Sequence, residues 1–136
     1  MTQNAALSQA VLSTGRRKTS IARVRALPGH GKVMVNNKTL DEYFGGLSKT
    51  KKNAMKPIEI SPSANSFDYS LTVVGGGYTG QAGAISHALT RVLIKLDPKL
   101  KANLKKEGLL TRDPRMVERK KPGRPKARKR FQFSKR

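Results

Sequence analysis

The chain has 136 residues, with 29 Lys and Arg against 8 Asp and Glu, for a formal net charge of +21. That length suits one domain, and so lopsided a charge calls for a polyanionic partner, nucleic acid first, because phosphate contacts release counterions. Lack of cysteine excludes a disulfide frame, a zinc knuckle and a thiol nucleophile, while short apolar runs exclude a membrane span.

Residues Met1–Thr14 carry no Lys or Arg. This speaks against a secretory signal or transit peptide and predicts a loose polar arm on a cytoplasmic chain. Arg17–Leu27 then reads as a strand, with Ala22, Val24 and Ala26 pointing one way and Arg23 and Arg25 the other. Pro28–Gly31 is a turn, from which Lys32–Val35 is expected to pair back as a hairpin. Asn36-Asn37 makes a second turn. Thr39 and Glu42 have the spacing of a capping box that opens a short helix through Tyr43 and Phe44. Another short helix is expected over Lys49–Lys56, stopped by Pro57.

Phe67–Val74 is the clearest strand, since Phe67, Tyr69, Leu71 and Val73 alternate with Asp68, Ser70 and Thr72. Beyond a glycine-rich turn, Ile85, Ala88, Leu89, Val92, Leu93 and Leu96 follow helical spacing as one apolar stripe. Asp97 and Pro98 open a further helix that Gly108 closes. These elements make an α+β sandwich with helices on one face of a small sheet. The globular domain is expected over residues 15–110, with an arm at 1–14 and a basic tail at 111–136.

Charge is concentrated at the end: residues 1–60, 61–110 and 111–136 carry net charges of +8, +3 and +10. No acidic residue follows Glu118, and Pro122, Gly123 and Pro125 interrupt any helix. Such a stretch buries too little apolar surface to offset its ordering entropy, so it is expected to be extended until RNA orders it. Arg119, Lys120, Lys121, Arg124, Lys126, Arg128, Lys129 and Arg130 are the candidate phosphate contacts there. Phe131 and Phe133 either stack on RNA or make incidental apolar contact.

Gly75, Gly77 and Gly80 satisfy GxGxxG between a strand and a helix, the context of a dinucleotide site. One feature weakens that reading, and a P-loop reading fails on another. Asp97, at the distance of the expected acidic residue, starts a helix instead of ending a strand. Gln81-Ala82 also stand where a P-loop places Lys and Ser or Thr. Gly75, Gly76, Gly77, Gly80 and Gln81 are therefore weighed as an RNA backbone contact against a purely structural turn. Arg16, Arg17, Lys18, Arg23 and Arg25 form a second candidate surface, a basic strand along RNA phosphates. Asp113 is placed to cap a brief turn, and Arg112 serves either a structural ion pair or a phosphate. His30 and His87 lack the neighbours of a triad or metal site and are read as solvent-facing or RNA-facing. No catalytic residue, metal, cofactor or small-molecule substrate is expected.

Thr14–Lys18 with Ala22-Arg23-Val24, the loop Gly75–Gly83, Leu109–Gly123 and the end Phe131–Arg136 together resemble the S-nine family of bacterial-type small-subunit ribosomal proteins. The resemblance spans about residues 13–136 and is weakest over Ser48–Ser66, to which no function is assigned. It implies a fold similar to ribosomal S-five domain two, with a left-handed β-α-β crossover that breaks the usual handedness rule. It also implies binding to the three-prime, head domain of small-subunit ribosomal RNA beside neighbouring head proteins. The tail would reach the peptidyl site, where Ser134, Lys135 and Arg136 meet the anticodon stem-loop of transfer RNA. Rival readings are a histone-like nucleic-acid compactor, which would bind DNA as readily, and a dinucleotide-dependent enzyme.

Overall fold

The computed structural model describes residues 10–134. Five strands form one sheet: β1 (Val11–Arg17), β2 (Ser20–Pro28), β3 (Val33–Val35), β4 (Lys38–Thr39) and β5 (Phe67–Val74). Their order across the sheet is β1-β2-β5-β3-β4. Helices α1 (Leu40–Phe44), α2 (Ser48–Ile60), α3 (Tyr78–Leu96) and α4 (Lys101–Lys106) complete the domain. The α+β class follows.

The sheet begins earlier than the composition of the amino-terminal stretch predicts. β1 occupies Val11–Arg17 and so takes in Val11–Thr14, the end of the segment expected to be a loose arm, while residues 1–9 lie outside the described residues. The single strand predicted over Arg17–Leu27 is instead the end of β1, a two-residue turn at Lys18-Thr19, and β2. β1 and β2 pair antiparallel, with Gly15 opposite Ala22 and Arg17 opposite Ser20.

The expected hairpin of Lys32–Val35 onto the preceding strand does not form. β3 pairs in parallel with β5, Val33 opposite Tyr69 and Val35 opposite Leu71, and β5 takes the antiparallel place beside β2. Asp68 redirects the chain: its carboxylate accepts from the backbone N–H groups of His30 and Lys32, both at 2.9 Å. Asn36 then prolongs the parallel ladder through its amide, which exchanges hydrogen bonds with the Val73 backbone at 2.9 and 3.1 Å. Asn36 and Asn37 both have positive φ, 50° and 66°, the combination a two-residue hairpin turn requires between β3 and β4.

Thr39 and Glu42 form the predicted reciprocal capping box at the start of α1. α2 runs from Ser48 to Ile60 and passes through Pro57, where a stop was expected. Pro57 cannot donate to the carbonyl four residues back, yet its ring is buried with Ala54 on the core side, and that burial offsets the missing bond. β5 and the apolar stripe of α3 appear as predicted, and Asp97 caps the turn at Pro98–Leu100 by accepting from the Lys99 N–H at 3.1 Å.

The core lies between one face of the sheet and the helices. Ala22, Val24, Ala26, Val35, Leu71 and Val73 meet Ile85, Ala88, Leu89, Val92 and Leu93 there, all nearly inaccessible to solvent. Each buried Leu or Ile contributes about 1.5–3 kcal/mol over its exposed state. α3 crosses β1 so closely that a Cβ on Gly15 would overlap the backbone of Ala84 and Ala88.

The outer margin of β1 is met by side chains one helical turn apart on α3. His87 Nδ1 accepts from the Arg16 N–H at 3.3 Å, Arg91 donates to the Thr14 carbonyl at 2.6 Å, and Lys95 donates to the Leu12 carbonyl at 2.6 Å. Positions i, i+4 and i+8 of a helix fall on one face, and alternate residues of a strand direct their backbone groups to one edge.

Candidate nucleic-acid interface

Among the described residues, only one face of the sheet is covered. On the other, strand register builds three rows: Leu12 beside Arg25 and Ser70, Thr14 beside Arg23 and Thr72, and Arg16 beside Ile21 and Val74. Leu12 is 60% and Val74 56% exposed, and Arg16, Arg23, Ser70 and Thr72 are open to solvent. Arg25 is half-buried. Three guanidinium groups thus stand among hydroxyls on an open, slightly apolar sheet face, an arrangement suited to phosphate and sugar contacts.

The five cations expected to line one basic strand are divided by the fold. Arg17 lies on the helix side, its stem against Gly83, and Lys18 sits in the β1–β2 turn with φ 53°. The cause is the strand's alternation together with the turn at Lys18-Thr19, which splits the sequence run between two strands.

The glycine-rich loop is explained largely from within. Gly75 and Gly76 adopt positive φ, 76° and 65°, and a Cβ on either would press on Thr19 or Ser20. Ser20 Oγ donates to the Gly75 carbonyl at 2.9 Å, and Gly80 also faces that hydroxyl. Gln81 clips the loop: its amide donates to the same Gly75 carbonyl at 3.1 Å and accepts from the Tyr43 hydroxyl at 2.6 Å. Gly77 alone of this group faces open space. It borders a cavity of about 400 Å³ with Lys38, Tyr43 and Tyr78.

Residues 111–134 carry no helix or strand. The root of this segment is anchored to the domain. Asp113 accepts from the Arg115 N–H at 3.0 Å, as its predicted capping role requires, and chelates the Arg115 guanidinium. Arg17 lies 3.3 Å from the same carboxylate and donates to the Arg115 carbonyl. These guanidinium and N–H donors, Arg115 first, hold the Asp113 carboxyl well below the ordinary carboxylate range.

Farther along, Glu118 pairs with Lys121 at 2.6 Å and with Arg128 at 2.9 Å, so residues 118–128 fold back on themselves. Lys121 and then Arg128 lower the Glu118 pKa. Arg119, Lys120, Lys126, Lys129 and Arg130 are exposed, and Arg124 is half-buried with its guanidinium on the Arg128 carbonyl at 3.0 Å. Phe131 and Phe133 are open to solvent, as is Ser134, while Lys135 and Arg136 lie outside the described residues.

His30 is exposed in its turn, as expected. His87 departs from its solvent-facing reading: it is half-buried, tied to the Arg16 N–H, and bonded to the Leu110 backbone. Burial, then the positive charge of Arg91, lowers its pKa. Lys56 was also missed. It comes from the segment given no function, and the fold brings it beside Arg17, His87 and Arg112. No spacing in the sequence signals that approach, because the four residues belong to four different parts of the chain.

Among the described residues no cluster of His, Asp or Glu is arranged to hold a metal ion, and no helix is long and apolar enough to cross a membrane. A family model described as Ribosomal protein S9/S16 matches residues 15–136. The small ribosomal subunit protein uS9 of Chlorobaculum tepidum is 50% identical over 130 residues, which is 96% of this chain and 100% of that relative.

Proposed function

The chain belongs to the ribosomal protein S9 family, an RNA-binding, non-enzymatic constituent of the small ribosomal subunit in translation, and from that premise we propose how it engages RNA. Its domain, of the ribosomal S-five domain-two type with a left-handed crossover, binds the three-prime, head domain of small-subunit ribosomal RNA beside neighbouring head proteins. Arg16, Arg23 and Arg25 on the open sheet face meet phosphates, and Gly77 beside Tyr78 offers backbone to the same RNA. Arg112 at the tail's root and the exposed cations from Arg119 to Arg130 continue the contact, and RNA orders the tail as it binds.

Ser134, Lys135 and Arg136 then touch the anticodon stem-loop of peptidyl-site transfer RNA. Contacts of this kind position a phosphate backbone without reading sequence, which suits a site that must accept every elongator transfer RNA.

The observation that carries this reading is the separation of charge from structure. A folded sheet leaves one face uncovered with three arginines on it. An anchored root leads from that domain into a stretch with no acidic residue after Glu118. Small subunits reconstituted with the chain lacking Ser134–Arg136 test the last step. Assembly is expected to proceed, with weaker peptidyl-site transfer RNA retention in filter binding; equal retention at matched salt would remove the tip's role. A general nucleic-acid compactor would instead bind duplex DNA as tightly as the head-domain RNA.

A further inference from the structure

Where the tail leaves the domain, a cavity of about 320 Å³ opens between four parts of the chain. Arg16 and Arg17 of β1, Lys56 of α2, and Arg112 and Arg115 of the root line it against a single carboxylate, Asp113. That carboxylate is already taken by Arg115 and Arg17. Among the described residues no carboxylate lies within 4 Å of the Arg112 guanidinium, and Lys56 has only a long contact to Glu107, at 4.0 Å. The hydroxyls of Thr79, Ser86 and Thr111 add polar groups, and the His87 imidazole is the one ring in the lining. The volume stands at the small end of ligand cavities, roughly 300–1,000 Å³. Such a lining, rich in cations and hydroxyls, recognises negative charge and accepts oxygen atoms.

We propose that this cavity is a phosphate site, holding one phosphodiester of the RNA between Lys56 on the domain and Arg112 on the tail's root. This deepens the RNA-binding reading and rests on it. Two cations that line one cavity, whose single carboxylate is already paired with Arg17 and Arg115, are stabilised by a shared anion, and one phosphate supplies oxygens to both. Because one cation belongs to α2 and the other to the root, filling the site also fixes the direction in which the tail departs. RNA binding by the domain and placement of the tail thereby become one event, coupled through a single group. His87 lines the same cavity and serves as its reporter.

The test uses the full chain and inorganic phosphate, at constant ionic strength set with chloride, with the His87 ring followed by NMR. A saturable shift is expected, weakened about tenfold by Lys56→Gln and by Arg112→Gln, the loss for one charge-assisted hydrogen bond. Lys99→Gln, an exposed substitution outside both the cavity and the RNA contacts named above, should leave the shift unchanged. Shifts that never saturate, or that are equal in all variants, overturn the proposal as mere screening. Binding of a head-domain ribosomal RNA fragment is measured in parallel. If the fragment binds specifically while phosphate does not saturate, the site is wrong and the RNA reading stands. If the fragment fails to bind specifically, the broader reading falls and the phosphate site with it. With a binding fragment, each of the two cavity variants is expected to lower the salt-dependence slope by about 0.7–0.9.

Discussion

Arg17 and Asp113, far apart in the chain, face each other at 3.3 Å and join the end of β1 to the root of the tail. Both side chains are largely shielded, at 20% and 32% exposure. Arg17→Gln and Asp113→Asn are each expected to speed tryptic cleavage at Arg112 and Arg115, with little further gain in the double variant. Additive rates would mean that the two residues do not act through each other. The domain's denaturation midpoint should change little, because the contact lies outside the core. Asp113 titrates well below 3.8, so the tie is expected to hold as pH falls through the ordinary carboxylate range and to fail only at stronger acid.

His87 supplies an acid-sensitive joint of the opposite kind. Its Nδ1 must be unprotonated to accept from the Arg16 N–H. Its folded pKa lies below the ordinary 6.5, so the unfolded chain binds the proton more readily. The stabilisation is complete above 6.5 and is lost as pH falls through the lower folded value. Amide exchange at Arg16 should therefore quicken on acidification, and His87→Gln should remove most of that pH dependence. An exchange profile indifferent to pH after correction for intrinsic rates would show that the bond carries no weight.

At Gly15 the sheet and α3 approach so closely that a Cβ has no room. Gly15→Ala forces a methyl group into the α3 backbone and is expected to cost about 1–3 kcal/mol, read as a lower denaturant midpoint with an unchanged slope. Gly46→Ala, facing open space, should stay within about 0.5 kcal/mol of the parent. Equal effects of the two would contradict the packing described.

Glu118 pairs with both Lys121 and Arg128, a carboxylate with which an RNA phosphate must compete. Glu118→Gln frees both, and its salt-dependence slope for RNA binding should steepen by about 1–2, near 0.7–0.9 for each cation released. An unchanged slope would mean that RNA already displaces Glu118 in the parent chain.

Local chemistry made part of this architecture readable in the sequence. The alternation of Phe67–Val74, the Thr39–Glu42 box and the Ile85–Leu96 stripe each depend on neighbours a few residues away, and each is found where predicted. Three other features depend on distant partners. The β1–β2 turn has no Gly, Asn or Pro, since Lys18 itself takes the positive φ. The parallel register of β3 depends on Asp68 and Val73, which arrive from β5. The passage of α2 through Pro57 depends on burial that only the assembled core provides. The interface divides in the same way. Arg23 and Arg25 are exposed by simple alternation, but Arg17, Lys56 and His87 acquire their roles from contacts across the fold.

The bonds from His87, Arg91 and Lys95 to β1 have a bearing on the chain before it meets RNA. An outer strand with free backbone groups is a template on which a second molecule can add its own strand. Here the Leu12 and Thr14 carbonyls and the Arg16 N–H are occupied from within the same molecule. The opposite margin ends in the two residues of β4, too short to guide a recruit. Among the described residues both margins of the sheet are thus blunted, which disfavours extension of the sheet by a second copy before the chain joins an assembly.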